Sequence, residues 1–178
     1  GKFGERAELP RESSLYLKTL PAVSQACGTT PVWRNVTMVD GIATLIDLNS
    51  IEMAADGSMT LWGAFDYPEM ALDPPYQAPY GEKFERFRVS CGRQTYALLS
   101  GYDVDNRNRV TDGLVFPQAI VERVGEANRN YKALFAAACG DPAELKRLPA
   151  FAKREKSLSK AMKVPAPTAA VLAAIDAL

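Results

Sequence analysis

The stretch from Phe84 to Tyr102, FERFRVSCGRQTYALLSGY, constrains the fold more than any other part of the chain. Its first half alternates apolar with charged residues, which is the period of a strand that buries one face. Gly92 and Arg93 follow as a two-residue turn, because glycine supplies the positive φ that such a turn needs. The return half, Thr95–Tyr102, is again rich in large apolar residues. The sequence therefore predicts a β-hairpin with one apolar face and one basic face.

Two Asp-Gly pairs, at residues 40–41 and 56–57, separate three apolar stretches upstream of this hairpin. An Asp-Gly pair between apolar runs is a strong signal for a tight turn between strands. Short strands at a spacing of about 8–12 residues are typical of antiparallel sheets. The sequence therefore predicts strands over residues 32–39, 42–48 and 58–65, and an antiparallel sheet that continues into the central hairpin.

Downstream of the hairpin, apolar residues no longer alternate at every second position but recur with the spacing of a helix. The pattern predicts a short strand over residues 114–116 and then a helix from Pro117 or Gln118 to about Cys139, where Gly140 ends it. We expect this helix to cover the apolar face of the hairpin. The positions that define its apolar stripe are Ile120, Val121, Val124, Tyr131, Leu134, Phe135 and Ala138.

These elements predict an α+β fold: an antiparallel β-sheet packed against one helix, with a helical C-terminal extension. Residues 1–30 are interpreted as a lead-in segment and residues 31–140 as the α+β domain. Residues 141–178 are interpreted as a basic helical extension, with a stiff Val164–Pro167 linker followed by a short apolar helix.

The chain has 178 residues and no histidine. The missing histidine excludes Ser-His-Asp and Cys-His catalysis within this chain and removes the commonest transition-metal ligand. Ser157 and Lys160 match the S-x-x-K motif, but the partner motifs S-D-N and K-T-G are absent, so a chance match is expected. We therefore predict that the protein is not an enzyme and has no cofactor; a Ser-Lys hydrolase is the weak alternative.

The loop after the hairpin begins like a calcium loop. Asp103 and Asp105 have the right spacing, but Arg107 stands where a third oxygen ligand is needed. Asn and Asp are also good turn formers, so the sequence predicts a turn and no metal site.

The chain carries 21 basic and 21 acidic side chains, and this zero net charge argues against nucleic acid as a partner. Acidic residues dominate from Asn35 to Tyr80, and basic residues dominate from Lys146 to Lys163. No apolar run approaches the roughly 18 residues of a membrane span. The chain starts at Gly1 without a visible signal peptide, which fits a mature or trimmed chain.

Two neighbouring features form a candidate binding surface. The stretch Pro68–Gly81 is predicted to be a loop rich in proline and tyrosine, and tyrosine gives a large contact area at low entropy cost. The hairpin has a basic face that can bind an anionic partner. The alternatives are a crossover loop whose tyrosines lie on the sheet edge, and a solvated strand face. The candidate residues are Tyr67, Tyr76, Tyr80, Arg86, Arg88 and Arg93.

The order of these motifs resembles the bacterial surface-adhesin protein E family over about residues 31–140. The resemblance is carried by Ser58–Trp62 with Asp66 and Tyr67, by Phe87–Tyr96, by Tyr102 and by Ala136–Cys139. Ser90 stands where the family usually has Asp, and a Pro-Gly-Ser stretch before the final helix is absent.

The resemblance implies an exported or surface-attached bacterial binding protein without catalysis. Its location would be the periplasm, the outer membrane or the cell surface. Its partner would be a host matrix protein, and homo-oligomers are also implied. The alternative is a structural subunit of a larger cell-envelope assembly, which is favoured by the uneven charge, the third cysteine and the C-terminal tail.

Three cysteines without C-x-x-C spacing fit an exported protein with one disulfide. Cys91 ends the first strand of the hairpin, Cys139 ends the predicted helix, and the family resemblance places its own pair at these positions. We predict a disulfide between Cys91 and Cys139, with Cys27 as the remaining, unpaired cysteine. Pairing of Cys27 with either of the others, or free thiols in a reducing compartment, are the alternatives.

Overall fold

A seven-stranded antiparallel sheet forms the centre of the computed structural model, which describes residues 20–23, 25–71 and 79–152. Its strands follow one another as a meander in the order β1-β2-β4-β5-β6-β7, and β3 pairs with β4 beyond the end of β2. The predicted antiparallel sheet and the broadly α+β class are confirmed. The strands are β1 Trp33–Val39, β2 Ile42–Asp47, β3 Glu52–Met53, β4 Met59–Ala71, β5 Tyr80–Ser90, β6 Thr95–Val104 and β7 Val110–Arg123.

The two predicted Asp-Gly turns are present. Asp40 and Gly41 both have positive φ, 53° and 77°, as a type I′ turn between β1 and β2 requires. Gly57 has φ 76°, and the backbone N–H of Ser58 donates to the Asp56 carboxylate. These turns fix the register of the first half of the sheet.

The central hairpin is confirmed as β5 and β6, with Phe84 opposite Tyr102 and Val89 opposite Tyr96. Its turn is longer than predicted, because residues 91–94 all lie between the strands. Gln94, and not Gly92, has the positive φ, 52°. The side-chain amide of Gln94 donates to the carbonyl of Cys91 at 2.8 Å, and this bond holds the longer turn closed.

The prediction of a helix from residue 117 is wrong, because residues 110–123 form the single strand β7. Val121 pairs with Ala97, and Arg123 pairs with Thr95. Val115 pairs with Ser100 and Ile120 pairs with Leu98, so the strand register shifts between these two pairs. Pro117 lies in this irregular part of β7, which has β6 as its one strand neighbour among the described residues, so the missing N–H costs no ladder bond there. Sheet pairing therefore overrides the helical period read from the sequence.

The helix that remains, α1, spans Arg129–Ala138. Asn128 caps it, since its side chain accepts a hydrogen bond from the backbone N–H of Tyr131 at 3.0 Å. The helix ends at Cys139, as predicted. A second helix, α2, spans Pro142–Arg147 and is capped by Asp141.

The hydrophobic core lies between α1 and one face of the sheet, which we call the inner face. Leu134 and Phe135 of α1 pack against the buried side chains of Leu61 and Phe87. Gly63 lies against the Leu134 side chain, with which a Cβ atom at position 63 would collide. The predicted packing of a helix on the apolar face of the sheet is confirmed for α1, but its backbone lies nearest β1 and β2. It reaches the hairpin through side chains such as Tyr131, whose ring contacts Phe87. The other buried members of the core are Ile46, Met59, Phe65, Val89, Tyr96, Val124 and Leu145.

The opposite, outer face carries small residues and aromatic rings. Phe84 stacks on Tyr102 with 4.8 Å between ring centroids, and Trp62 meets Tyr102 edge-on at 5.9 Å. Helical residues 20–23 and 25–26 lie against this face, because the hydroxyl of Tyr102 donates to the side-chain oxygen of Gln25. The predicted lead-in segment therefore contacts the sheet within its described part.

Contacts with the sheet also continue past the predicted domain boundary at residue 140. Leu145 of α2 is buried in the core. The backbone N–H of Asn35 donates to the carbonyl of Pro149 at 2.8 Å, and that of Phe151 donates to Trp33 at 3.3 Å. Residues 141–151 thus belong to the sheet domain. The remainder of the predicted extension, with the linker and the last helix, lies outside the described residues.

Candidate functional site

The predicted disulfide is confirmed. Cys91, just after β5, is bonded to Cys139, just after α1, and their Cα atoms are 5.6 Å apart. This distance lies within the range of about 4.4–6.8 Å that a disulfide requires. Cys27 is an exposed free thiol. The bond ties the end of the central hairpin to the end of the helix that covers it.

The predicted tyrosine surface is not exposed where the structure describes it. Tyr80 opens β5 and is only 2% exposed, and Tyr67 lies in β4, half-buried against the core. Their rings meet edge-on at 5.3 Å. The predicted loop is shorter than expected, since β4 extends to Ala71 and β5 starts at Tyr80. Tyr76 lies outside the described residues.

The predicted arginines lie on the outer face and at the turn. Arg88 is exposed on β5, Arg86 is half-buried two residues earlier, and Arg93 is exposed in the turn. Cross-strand pairing of Arg88 with Ala97, and of Thr95 with Arg123, adds Arg123 to the same face. The sequence reading missed Arg123 because it placed that residue in a helix. We call Arg88, Arg93 and Arg123 the arginine face.

The pKa of the Asp56 carboxyl reflects the positive charge at this end of the sheet. The hydroxyl of Ser58 donates to Asp56 and is the largest cause that lowers the pKa of that carboxyl; the backbone N–H of Ser58 adds to it. The charges of Arg93 and Arg88 lower the pKa of Asp56 further. Both guanidinium groups therefore act on the same region of the surface.

Arg86 points into a different feature, a polar cavity of about 320 Å³ on the outer face. The cavity lies between the helical segment around Gln25, the short turn after β2, and strands β4 and β5. Trp62 lines its floor, and the Arg86 guanidinium lies 3.5 Å from the Glu52 carboxylate. The side chains that line it include those of Gln25, Asp47, Ser50, Glu52, Trp62 and Arg86.

The turn that forms one wall of the cavity is held by four part-buried hydrogen bonds. The Asp47 carboxylate accepts from the backbone N–H groups of Val32 at 2.7 Å and Asn49 at 3.1 Å. The hydroxyl of Ser50 donates to the Asp47 carbonyl and accepts from the backbone N–H of Trp62, both at 2.8 Å. These bonds fix the wall to β4, so the cavity is shaped before any ligand arrives.

Gln25 is the unusual residue of the cavity. It is only 8% exposed, and its side-chain oxygen accepts from the Tyr102 hydroxyl. Its side-chain nitrogen Nε2 is buried and has no hydrogen-bond partner among the described residues. Most buried polar atoms in proteins are paired, so an unpartnered buried amide nitrogen on a residue that lines a cavity is unusual. Sequence reading had no signal for Gln25, because its partner is 77 positions away.

The inner face holds a second polar group, beside α1. Glu85 is 5% exposed, and its carboxylate accepts from the Tyr131 hydroxyl at 2.9 Å. The ring of Tyr131 stacks on Tyr96 at 5.5 Å, and the Tyr96 hydroxyl donates to Glu122. Burial raises the pKa of Glu85 to about 7, and burial also raises the pKa of Tyr131, to which the Glu85 charge adds. Sequence alternation could have found Glu85, because it occupies an apolar-face position of β5.

The loop that begins like a calcium site is closed by its own backbone. The Asp105 carboxylate accepts from the N–H groups of Arg107 at 2.8 Å and Arg109 at 3.0 Å, and from the Arg109 guanidinium at 2.7 Å. Burial opposes ionisation, but these bonds outweigh it and lower the pKa of Asp105. Within residues 20–23, 25–71 and 79–152, no three metal-ligating side chains are grouped to hold an ion.

Ser157 and Lys160, the weak catalytic candidate, lie outside the described residues. In the described part of the chain, no helix is both long and apolar enough to cross a bilayer. Comparisons with protein-family models, with curated proteins and with solved structures gave no match. The resemblance to the surface-adhesin protein E family therefore remains a hypothesis.

Proposed function

We propose that this chain is an exported, non-catalytic binding protein of the bacterial cell envelope or surface, with an adhesin-like role. The observation that carries the proposal is the arginine face, on which Arg88, Arg93 and Arg123 are exposed at one end of a rigid sheet. Guanidinium groups bind carboxylates in a bidentate manner, so this face suits an acidic protein partner. The family resemblance suggests a host matrix protein as that partner.

The Cys91–Cys139 disulfide supports the export part of the proposal. Disulfides form and persist in oxidising compartments such as the periplasm and the cell surface, and they are rare in the cytosol. Three free thiols in protein purified from its native source would contradict export.

The binding part is tested with immobilised extracellular-matrix proteins at physiological salt. Reversing two charges of the arginine face, Arg88→Glu with Arg93→Glu, should weaken binding at least roughly tenfold and flatten its salt dependence. Arg129→Glu with Lys132→Glu makes the same change of charge at exposed positions of α1 and should leave binding unchanged. Equal losses in both variants, or no loss in either, would contradict docking on the arginine face.

A second candidate function, a structural subunit of an envelope assembly, is favoured by strand β7. In the described part of the chain, this 14-residue strand has a strand neighbour on one side only, β6. Leu114 and Val121 on it are 54% and 66% exposed. Long, exposed apolar edge strands pair with other chains. Homo-oligomers through β7 would follow from the same geometry.

Light scattering on the purified protein and pull-down from the native envelope fraction test this alternative. Assembly through β7 predicts a large complex that Val121→Lys disrupts and that the Arg88→Glu, Arg93→Glu variant leaves intact. A monomer in both experiments would remove the structural-subunit function and leave the binding proposal standing.

A further inference from the structure

We propose that the polar cavity of the outer face is a binding site for one neutral sugar ring. The proposal goes beyond docking of a protein on the arginine face and rests on different residues. The cavity volume of about 320 Å³ lies at the lower end of the roughly 300–1,000 Å³ found for small-molecule sites. It therefore has room for a single ring-sized ligand, and not for a protein segment.

The first argument is the unpaired amide of Gln25. Its oxygen accepts from Tyr102, and its Nε2 is buried and unpartnered among the described residues. A hydroxyl both donates and accepts, so the Gln25 amide could also be turned round, with Nε2 donating to the Tyr102 hydroxyl. In that orientation the amide oxygen would be the end that lacks a partner. In either orientation, one end of the amide lacks a protein partner among the described residues. Because Nε2 is closed off from solvent, a ligand hydroxyl in the cavity reaches this end only when the Gln25 side chain turns toward the cavity that it lines.

The second argument is the charge of the lining. Arg86 and Glu52 lie side by side at 3.5 Å, so a donor and an acceptor of opposite charge face the same space. The Oδ1 atom of Asp47 is already occupied by two backbone N–H groups. An anionic ligand would be repelled by Glu52, and a cationic ligand by Arg86. Neighbouring hydroxyls of a neutral sugar can accept from Arg86 and donate to Glu52 at once.

The third argument is the floor of the cavity. Trp62 is the large apolar residue of the lining, and its ring is fixed by the edge-on contact with Tyr102. A sugar ring has apolar C–H groups beside its hydroxyls, so one aromatic floor and a polar rim match both of its surfaces. The hydrogen bonds of Ser50 and Asp47 hold the rim in place, which reduces the entropy lost on binding.

The test is ligand-observed NMR with the full chain. The probes are glucose, galactose and N-acetylglucosamine, with glucuronate and glucosamine as matched rings of negative and positive charge. We expect at least one neutral sugar to bind with a Kd of roughly millimolar order, as for other ligands of this size, and to bind more tightly than either charged ring.

Two variants locate the site and leave Arg86, which lies next to the arginine face, unchanged. Gln25→Leu removes the amide and should weaken sugar binding roughly tenfold. Glu52→Gln changes a side chain that is 72% exposed, so it should fold normally and still weaken binding several-fold. Glu126→Gln is the matched control on an exposed carboxylate away from the cavity. Circular dichroism checks that each variant is folded, and Glu52→Gln decides the matter if Gln25→Leu does not fold.

Three results would overturn the proposal: no neutral sugar saturates the wild-type protein, a charged ring binds more tightly than the neutral ones, or the folded variants bind as the wild type does. Matrix-protein binding measured in parallel separates the two proposals. Loss of sugar binding with intact matrix binding refutes only the sugar site, and the Arg88→Glu, Arg93→Glu variant should retain sugar binding.

Discussion

Leu134 of α1 packs directly against Gly63 of β4, and Gly63→Ala should push helix and sheet apart at this point. A Cβ atom at Gly63 would lie 2.8 Å from Cδ2 of Leu134 and 3.1 Å from Cε2 of Phe87. Both of these side chains are buried in the core, so neither can move away without displacing its own neighbours. The methyl group therefore overpacks the interface between helix and sheet.

Overpacking a core by about one methyl group typically costs about 1–3 kcal/mol of unfolding free energy. Leu134→Ala alone should cost about 2–5 kcal/mol, because it leaves a cavity. In the double variant the new methyl group fills part of that cavity and the clash disappears. The double variant should therefore be more stable than the sum of the two single changes predicts, by on the order of 1–3 kcal/mol.

Urea unfolding followed by tryptophan fluorescence, with the disulfide intact, measures all three variants. Gly92→Ala is the control, because a Cβ atom there has no other atom within 4 Å, and it should change stability by less than about 0.5 kcal/mol. A neutral Gly63→Ala variant, or strict additivity with Leu134→Ala, would refute the close contact between helix and sheet.

Three further predictions concern the tail, the buried carboxyl and the disulfide. A chain ending at residue 152 should be more stable than one ending at residue 140 by roughly 2–5 kcal/mol, because it keeps buried Leu145 and the pairing with β1; equal urea midpoints would contradict this. Burial raises the pKa of Glu85 from 4.5 to about 7, so the folded state binds a proton that the unfolded state releases. The unfolding free energy should therefore fall by about 3 kcal/mol as pH rises from about 4.5 to about 7. Glu85→Gln should flatten this dependence on pH, and an unchanged dependence in that variant would contradict the role of Glu85. Reduction of the Cys91–Cys139 bond opens a loop with a sequence separation of 48 and should lower the unfolding free energy by about 4 kcal/mol, whereas Cys27→Ser should change little; both are measured by urea titration with and without reductant.

The elements that could be predicted are those fixed by short-range chemistry. Asp40 and Gly41 both need positive φ, which few other pairs tolerate, so the first hairpin followed from two residues. The alternation before Cys91 fixed which side chains share a face of β5, and the cysteine pairing followed once a helix was expected to cover that face. In each case the signal and the structure it specifies lie within a few residues of each other, or repeat with a fixed period.

Strand β7 could not be predicted because its conformation is set by its partner. Val121 and Val124 fit a helical stripe as well as a strand, and Pro117 suggested the first turn of a helix. Pairing with β6 decides between the two, and no local feature of residues 110–123 reveals that pairing. The same error concealed Arg123, which joins the arginine face only when residue 123 lies opposite Thr95.

The uneven charge along the sequence takes a different form in the folded chain. The region from residue 35 to residue 80 has acids and no bases, and the hairpin that follows supplies arginines. Antiparallel pairing of β3, β4 and β5 brings these two regions together, so that Glu52 lies beside Arg86 and Asp56 lies within the field of Arg88 and Arg93. At the cavity, Arg86 lies beside Glu52, so charges of opposite sign face the same space. At the turn the arginines outnumber the nearby acids, which favours an acidic partner. If both proposals hold, one segregated sequence gives two adjacent surfaces of different specificity, and the strand register decides where one ends and the other begins.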